Sequence, residues 1–434
     1  MIDFNIAKKK LSLKEKIGQL FMPAAFVNDT EEEIQQLEQL IKQHAVGGIC
    51  FFHSRASAAT NYEGKKEVVY NENSLAVLKS LIHRYQKVSE YPLLIAIDAE
   101  WGLAMRIENT PQYPYAITLG AIKDDVSLIF EVGKNIAKDC KEAGIHWNLS
   151  PVSDINNNPD NPVIGYRSFG ENREEVALKS IAYVKGTESE GVLTSVKHFP
   201  GHGDTATDSH LGLPIINKSK EELIANELYP FQELINTDVD SVMVGHLSVP
   251  ALANGNNEPS SISKAIIKGV LREEMKFKGV VISDALNMHA VSKNYPAPGE
   301  LEWLAFDAGN DVLCFAEHIK EGIANILQKA NNNQINESFE RVWKLKEKAI
   351  NTSKKENSTS SPAYEVKALN YKIAKKSLTL LIGSDSDIKD FRSTDFCTVT
   401  FKRFDKNQKS SEILKSLELM KSEVLKENEV LLLL

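Results

Sequence analysis

Residues 197–214, KHFPGHGDTATDSHLGLP, come directly after an apolar run that is typical of a buried strand. Glycines and prolines interrupt the stretch, which excludes a regular helix or strand over its length. The stretch contains three histidines and two aspartates, which are all possible proton or metal ligands: His198, His202, Asp204, Asp208 and His210. A rigid strand that ends in a polar, titratable loop is a common way for a protein to present functional groups. We therefore interpret this loop as the functional centre of the chain.

Eight short apolar runs, one of them leading into this loop, alternate with amphipathic segments that we predict to be helices, such as the one at residues 219–236. The predicted strands span residues 19–24, 46–52, 93–98, 146–151, 194–199, 241–246, 279–284 and 311–315. Strands that are apolar almost throughout are typical of parallel sheets covered by helices on both faces. Eight such strand–helix units in succession favour an α/β fold of the (β/α)8 TIM-barrel type. An open doubly wound sheet is disfavoured, because its first strand usually leads into a glycine-rich turn that this sequence lacks.

The character of the chain changes after about residue 350. Residues 351–362, NTSKKENSTSSP, have the composition of a polar linker. Residues 363–434 combine strand-like and helix-like segments and end in the apolar run VLLLL. We therefore predict a barrel domain over residues 1–350, a linker over 351–362 and a partial second α/β domain over 363–434.

The composition is that of an ordinary globular protein with a formal net charge of -8. Its lysines are dispersed, so we expect no nucleic-acid partner, and no apolar run reaches the length of a membrane span. The first residues lack the long apolar core of a signal peptide, which favours a cytoplasmic location. The periplasm is the alternative if the start of the chain is missing. The four cysteines contain no C-x-x-C pair, which argues against a disulfide framework or a zinc site.

Polar residues occur at or just beyond the carboxyl ends of five successive predicted strands. In a barrel these ends lie on one face, where barrel enzymes hold their active sites. The residues concerned are Asp98, Asp154, Lys197, His198, His246 and Asp284. We therefore expect one site on this face, with Asp154 in a structural role.

The residue types of the loop allow two kinds of chemistry. In the first, its histidines and aspartates bind a metal ion, as in metal-dependent barrel hydrolases. In the second, Asp208 accepts a hydrogen bond from Nδ1 of His210, fixes its tautomer and raises the pKa of the imidazole. The spacing favours the second, because metal-binding histidines in barrels often come as His-x-His, which is absent from the loop.

Four separate segments of the chain carry a family resemblance. They are the loop 197–214, PLLIAIDAEWGLAMR at 92–106, VIGYRSFGEN at 163–172 and GVVISDALNM at 279–288. Together, and in this order along the chain, they resemble the β-N-acetylglucosaminidase subgroup of glycoside hydrolase family 3. In that subgroup they correspond to the signature loop, the substrate-binding segment, the Arg-Ser-Phe-Gly segment and the segment that holds the nucleophile. The resemblance covers roughly residues 11–350.

The resemblance implies a retaining, two-step hydrolysis of terminal β-linked N-acetylglucosamine on a barrel. Asp284 would be the nucleophile that forms a covalent glycosyl-enzyme. His210 would act as general acid and then as general base, with Asp208 orienting it. The implied sugar-binding residues are Asp98, Arg106, Arg167, Lys197 and His198. We expect the part of the loop that carries His210 to close over a bound sugar.

The resemblance also implies a substrate class. The expected partner is a small-molecule carbohydrate, either a peptidoglycan fragment or a chitooligosaccharide, and no cofactor or metal is implied. Phosphorolysis of the same glycosides is one alternative, because a histidine acid/base does not repel phosphate as a carboxylate would. A metal-dependent barrel hydrolase is the second alternative, and a sugar-binding protein without catalysis is the third.

The chain departs from the family pattern at two places. Trp101-Gly102-Leu103 stands where many relatives have Gly-Gly-Arg. This difference should alter a wall of the pocket and could offer a face for stacking. Ala285 stands where many relatives have a second aspartate, so Asp284 is the single carboxylate of that segment.

Overall fold

The strands that the structure describes are short and pair in parallel. The computed structural model describes residues 2–53, 70–205, 212–353 and 361–379. Its strands are β1 (Phe21–Met22 and Ala24–Phe26), β2 (Gly48–Phe52), β3 (Leu94–Ile97), β4 (Trp147–Asn148), β5 (Leu193–Thr194 and Val196–Phe199), β6 (Ser241–Val244), β7 (Val280–Ser283) and β8 (Leu313–Cys314). Each overlaps one of the eight predicted strands.

Parallel pairing links these strands into a closed ring. Strands β1 to β5 pair in chain order, and the second segment of β5 pairs with β6, which pairs with β7. A bridge between Ile282 and Val312 joins β7 to the start of β8. The pairing of Phe21 with Leu313 joins β8 back to β1. The predicted (β/α)8 barrel is confirmed.

The strands are buried on both faces, which is why they appear in the sequence as continuous apolar runs. Successive side chains of a strand point to opposite sides, so one strand contributes to two apolar clusters. In β6, Val242 and Val244 pack in a cluster with the surrounding helices, whereas Met243 belongs to the other cluster. In β7, Val281 likewise packs in the cluster with the helices, and Ile282 belongs to the other cluster.

Helices precede, connect and follow the strands. Among the described residues, the α-helices are Phe4–Lys10, Leu13–Gly18, Glu31–His44, Ser74–Val88, Ala116–Gly120, Ser127–Ala143, Arg173–Ser189, Lys220–Ala225, Tyr229–Ile235, His289–Ser292, Glu300–Ala308, Ile319–Lys329, Asn332–Ser353 and Ala363–Ser377. A π-helix spans Ala265–Glu274, and 3-10 turns span Leu103–Met105, Gly165–Arg167 and Ser260–Ile262. In the part of the chain that the structure describes, none of the helices has the length and apolar character needed to cross a bilayer.

The segment at 219–236, which the sequence pattern predicts as one helix, forms two helices. The first ends at Ala225 and the second begins at Tyr229, with Pro230 in its first turn. Proline suits the first turn of a helix but cannot continue one, because it has no N–H to donate. Between the helices, the buried carboxylate of Glu227 accepts a hydrogen bond of 2.6 Å from Nζ of Lys218. The break therefore places an acidic side chain inside the protein.

The helix Ala363–Ser377 belongs to the first of two compact units of the chain, which ends at Ser377. Its residues Val366 and Ile373 are buried in the apolar core. The Nδ2 atom of Asn370 donates to the backbone oxygen of Gln112 over 2.9 Å. Residues 380–434, most of the predicted second domain, lie outside the described residues. The division into residues 1–350, 351–362 and 363–434 therefore stays a prediction.

Candidate active site

Two carboxylates and three cations form a connected cluster between β3 and β5. The Nζ atom of Lys197 lies 2.7 Å from Oδ1 of Asp98 and 3.0 Å from Oε1 of Glu100. The Nη2 atom of Arg106 donates to Oδ2 of Asp98 over 3.0 Å. Arg167 donates two hydrogen bonds to Glu100, one of 2.7 Å from Nη2 and one of 3.0 Å from Nε. We call these five residues the carboxylate–cation cluster.

The chain brings distant segments to this cluster through the barrel. Asp98 directly follows β3, and Arg167 ends a 3-10 turn on the segment after β4. Lys197 lies in β5. Four of the predicted sugar-binding residues thus come together, whereas Glu100 was not predicted. The spacing Asp-x-Glu was a usable signal, because alternate residues of an extended chain point to the same side.

The cluster stays charged despite its burial. Burial raises the pKa of Asp98, but Lys197 and Arg106 outweigh it and hold that pKa below its usual value. Burial likewise opposes the ionisation of Glu100, but Arg167 and Lys197 bring its pKa well below the usual range. For Lys197, burial lowers the pKa, while Asp98 and Glu100 raise it, with a net rise. The cluster therefore offers both charged donors and acceptors, a set suited to the hydroxyl groups of a sugar.

His198, the fifth predicted sugar-binding residue, is held by a buried carboxylate. Its Nδ1 atom lies 2.8 Å from Oδ2 of Asp154. The backbone N–H of His202 also donates to Asp154, over 2.7 Å. Burial raises the pKa of Asp154, but His198 and His202 outweigh it and lower that pKa below its usual value. An ionised carboxylate can only accept, so Nδ1 of His198 carries a proton and Nε2 remains for other contacts.

Asp284, the predicted nucleophile, follows directly after β7 and is partly exposed. Its Oδ1 atom accepts a hydrogen bond of 2.8 Å from the backbone N–H of Ala285. Burial would raise its pKa, but His246, His198, this hydrogen bond and Lys197 together lower the pKa of Asp284 to about 2. Asp284 is therefore a carboxylate at any working pH, and it lies within the electrostatic reach of the carboxylate–cation cluster.

His246 is fully buried two residues beyond the end of β6. Its Nδ1 atom lies 2.7 Å from Oγ of Ser261, and its Nε2 atom lies 2.9 Å from the backbone oxygen of Ala285. His246 therefore supports the segment that carries Asp284 and helps to keep that carboxylate ionised. It is a supporting residue that the pattern of polar strand ends had singled out.

The predicted acid/base residues fall outside the described part of the loop. The structure describes residues 197–205 and resumes at 212, so Asp208 and His210 are not among the described residues. Their roles and the closing of the loop stay predictions. The described half belongs to the barrel, because Val196 to Phe199 form the second segment of β5.

The metal-binding interpretation can be examined on the described half of the loop. There, the candidate ligands contact three different partners. His198 contacts Asp154, Nδ1 of His202 lies 2.8 Å from Oγ1 of Thr205, and Asp204 pairs with Lys218. Among all residues that the structure describes, no three His, Cys, Asp or Glu side chains are grouped to hold a metal ion.

Comparison with known proteins decides the family. Residues 12–345 match the family described as Glycosyl hydrolase family 3 N terminal domain, and this stretch includes all eight strands of the barrel. The chain belongs to glycosyl hydrolase family 3. The predicted family is therefore confirmed, and the family-3 domain accounts for the whole barrel.

Three relatives show how far the likeness to other family-3 proteins extends. Beta-hexosaminidase A of Pseudoalteromonas piscicida is 33% identical over 347 residues, which cover 73% of this chain and 56% of that protein. A beta-hexosaminidase of Neisseria meningitidis serogroup C (strain 053442) is 34% identical over 293 residues, which cover 65% of this chain and 74% of that protein. A solved family-3 beta-N-acetylglucosaminidase from Paenibacillus sp. str. FPU-7 is 33% identical with a TM-score of 0.73, covering 86% of this chain and 70% of that chain. The chain thus spans little more than half the length of the first relative.

Replacement of Glu100 by glutamine is expected to weaken both folding and activity. The amide carries no charge, so Arg167 loses its charge-assisted pair and Lys197 retains only one carboxylate. Breaking a buried ion pair on one side costs about 3 kcal/mol of unfolding free energy. Misplacement of Arg167 and Lys197 should lower kcat/KM for glycoside hydrolysis by about 100-fold.

Urea unfolding and steady-state kinetics of Glu100→Gln measure the two effects. Glu142→Gln is the matched control, because Glu142 pairs with Lys79 on the surface, where an ion pair contributes less than about 1 kcal/mol. If Glu100→Gln behaved like Glu142→Gln in both measurements, Glu100 would have no positioning role.

Proposed function

We propose that this family-3 protein is a retaining, exo-acting β-N-acetylglucosaminidase. Its substrates would be peptidoglycan fragments or chitooligosaccharides with a terminal β-linked N-acetylglucosamine. The observation that carries the proposal is the ionised Asp284 at the end of β7, within reach of the carboxylate–cation cluster. The names of the three relatives support the same activity.

In the proposed first step, an Oδ atom of Asp284 attacks the anomeric carbon of the terminal sugar. The bond between this carbon and the leaving oxygen breaks, and the bonding electrons go to the oxygen. His210 donates its proton to that oxygen, so the leaving group departs as a neutral alcohol. The low pKa of Asp284 suits it to this role, because only the carboxylate form is nucleophilic.

In the proposed second step, His210 removes a proton from a water molecule, whose oxygen attacks the anomeric carbon. The bond to Asp284 breaks and its electrons return to the carboxylate. Two displacements at one carbon give net retention of the β configuration. Asp208 would accept a hydrogen bond from Nδ1 of His210 and stabilise the imidazolium that forms in this step.

The carboxylate–cation cluster would hold the terminal sugar during both steps. The oxygens of Asp98 can accept hydrogen bonds from hydroxyl groups, and Lys197, Arg106 and Arg167 can donate to them. The ion pairs within the cluster fix these side chains before the sugar arrives. This pre-organisation lowers the cost of ordering the site on binding.

One comparison of substrates tests the proposal. The protein is incubated with aryl β-N-acetylglucosaminide and with aryl β-glucoside, each with and without phosphate, before and after exhaustive chelation. We expect release from the first substrate, little from the second and no effect of chelation. Release of sugar 1-phosphate in phosphate buffer would identify a phosphorylase, and loss of activity on chelation would identify a metal-dependent hydrolase. No release from the N-acetylglucosaminide in any buffer would refute the proposal.

The pH dependence of the reaction should have a single, basic limb. Asp284 remains ionised from about pH 3 upwards, so kcat/KM for N,N′-diacetylchitobiose should stay level through the acidic range in which the protein is folded. It should fall above about pH 7, because the imidazole of His210 must be protonated to serve as acid. A pH profile of kcat/KM, with circular dichroism at each pH, measures this.

His210→Gln gives the matched test of the basic limb. The variant should lose turnover of N,N′-diacetylchitobiose, yet retain much of kcat/KM for a 2,4-dinitrophenyl glycoside, because this constant reports the first step and the leaving group needs little protonation. An acidic limb near pH 5 in the folded wild-type protein would contradict the low pKa of Asp284.

We also propose a cytoplasmic location. Cys50, Cys140 and Cys314 are free and buried, and free thiols are typical of proteins from reducing compartments. Cell fractionation tests the proposal, and recovery of the protein in a periplasmic fraction would contradict it.

A further inference from the structure

Three aromatic side chains form a partly exposed group beside the site. The ring centroids of Trp101 and Tyr115 lie 4.8 Å apart, those of Tyr115 and Tyr166 lie 4.8 Å apart, and those of Trp101 and Tyr166 lie 6.2 Å apart. Tyr115 is 38% exposed and Tyr166 is 53% exposed. We call these three residues the aromatic cluster. It presents an apolar surface that the fold leaves open to solvent.

The aromatic cluster is continuous with the carboxylate–cation cluster. Trp101 directly follows Glu100, and Tyr166 directly precedes Arg167. Glu100 and Arg167 are themselves joined by two hydrogen bonds. Two of the three rings are therefore attached to the backbone on either side of this ion pair, one residue away from groups that would hold the terminal sugar.

The backbone around Trp101 is fixed before any ligand binds. Its oxygen accepts a hydrogen bond of 2.9 Å from the N–H of Tyr113. Gly102 has φ = +99°, and a Cβ atom there would lie 2.8 Å from the oxygen of Pro111 and 2.9 Å from the ring of Tyr113. Only glycine fits this turn, so the backbone that carries the indole is held by a tight local structure, and the indole itself packs edge-on against the ring of Tyr115. A fixed aromatic side chain loses little conformational entropy when a ligand stacks on it.

The chemistry of the aromatic cluster points to a second sugar ring. A pyranose has an apolar face of C–H groups, and an aromatic ring offers a matching flat surface with a negative face. A glycosidase that acts at a chain end must also accommodate the sugar on the leaving-group side of the scissile bond, next to the terminal sugar.

We propose that Trp101, Tyr115 and Tyr166 form the subsite for the leaving-group sugar. This inference rests on the proposed glycosidase function and adds to it the residues that select the leaving group. The subsite favours substrates in which a pyranose, rather than a small alkyl group, is attached to the terminal N-acetylglucosamine.

The test compares two substrates that share the terminal sugar, N,N′-diacetylchitobiose and methyl β-N-acetylglucosaminide. The measured quantity is kcat/KM for N,N′-diacetylchitobiose divided by kcat/KM for the methyl glycoside. Trp101→Ala is expected to lower this ratio by about tenfold, because one stacking contact with the second sugar is lost. Tyr166→Ala should lower the ratio in the same direction. Tyr371→Ala is the matched control, because Tyr371 is 63% exposed on the helix Ala363–Ser377, and it should leave the ratio unchanged.

Trp101→Phe is a second variant, included in case Trp101→Ala does not fold. It keeps an aromatic face, so it should retain most of the wild-type ratio. Equal losses on both substrates in folded Trp101→Ala and Tyr166→Ala would overturn the subsite alone. A wild-type protein that hydrolyses neither substrate would overturn the proposed function, and the subsite with it.

Discussion

Replacement of Asp284 by asparagine is expected to lower kcat/KM for p-nitrophenyl β-N-acetylglucosaminide by about 10,000-fold or more. The amide cannot form the covalent intermediate, so the two-step route is lost. The environment of Asp284 makes the effect large, because His246, His198 and Lys197 keep this carboxylate ionised, with a pKa of about 2. The fold should be preserved, because asparagine has the same shape and can still accept the hydrogen bond from Ala285. Initial-rate kinetics and a thermal melt measure the two expectations.

Asp284→Ala gives a sharper version of this test. With the carboxylate removed, added azide can attack the anomeric carbon from the face that Asp284 occupied, while the aryl oxygen departs with its bonding electrons. The expected product is the α-glycosyl azide, which NMR identifies. Asp307→Asn is the matched control, because Asp307 pairs with the exposed Lys264 on the surface. More than a tenth of wild-type activity in Asp284→Asn would contradict the assignment.

Replacement of Lys197 by methionine is expected to reduce stability and activity together. Methionine keeps the length of the side chain but leaves Asp98 and Glu100 without the cation that bridges them. Removing one partner of a buried ion pair costs about 3–5 kcal/mol of unfolding free energy. Because the same cluster would hold the sugar, kcat/KM should fall by about 1,000-fold.

The loss of stability in Lys197→Met should depend on pH in a definite direction. In the wild type, the pKa of Asp98 is lowered in the folded state, chiefly because Lys197 and Arg106 outweigh burial. The stability that this carboxylate contributes is therefore present above its ordinary pKa near 4 and is lost as the pH falls through its lower folded pKa. The difference between wild type and variant should be largest near pH 7 and shrink below about pH 4.

Urea unfolding of the wild type and of Lys197→Met, near pH 7 and below about pH 4, measures this difference in unfolding free energy. Lys185→Met is the control, because Lys185 is exposed and its pair with Glu188, at 3.7 Å, should contribute less than about 1 kcal/mol. A deficit of the same size at both pH values would show that Lys197 acts through packing rather than through charge.

The barrel could be predicted from sequence because its strands are buried on both faces. A run such as the one ending in Leu94–Ile97 must be apolar throughout, and eight such runs separated by amphipathic helices leave few alternative folds. The polar residues that follow the runs then fall on one face by geometry alone. This explains why Asp98, Lys197 and Asp284 could be placed near one another before the structure was known.

The pairings within the site could not be predicted, because they depend on tertiary contacts. Nothing local connects Glu100 with Arg167, or Asp154 with His198, which are separated by 67 and 44 positions. The contact of Trp101 with Tyr166 has the same origin, since it follows from the turns that carry these rings. A motif identifies the residues of a site, whereas their partners emerge only when the strands are arranged in the barrel.

The local pattern also missed a break within one helical segment. The amphipathic pattern at 219–236 continues across the break before Tyr229, although Pro230 already indicated the start of a new helix.

The central claim is that hydrolysis proceeds through a covalent bond to Asp284. The most direct measurement is mass spectrometry of the protein after reaction with a 5-fluoro-N-acetylglucosaminyl fluoride, acid quench and digestion with trypsin. Cleavage after Lys278 and Lys293 releases residues 279–293, in which Asp284 is the only residue with a carboxylate side chain. We predict that this peptide gains the mass of one fluorinated sugar residue, attached at Asp284. A label on another peptide, or turnover of the reagent without any labelled protein, would contradict the account.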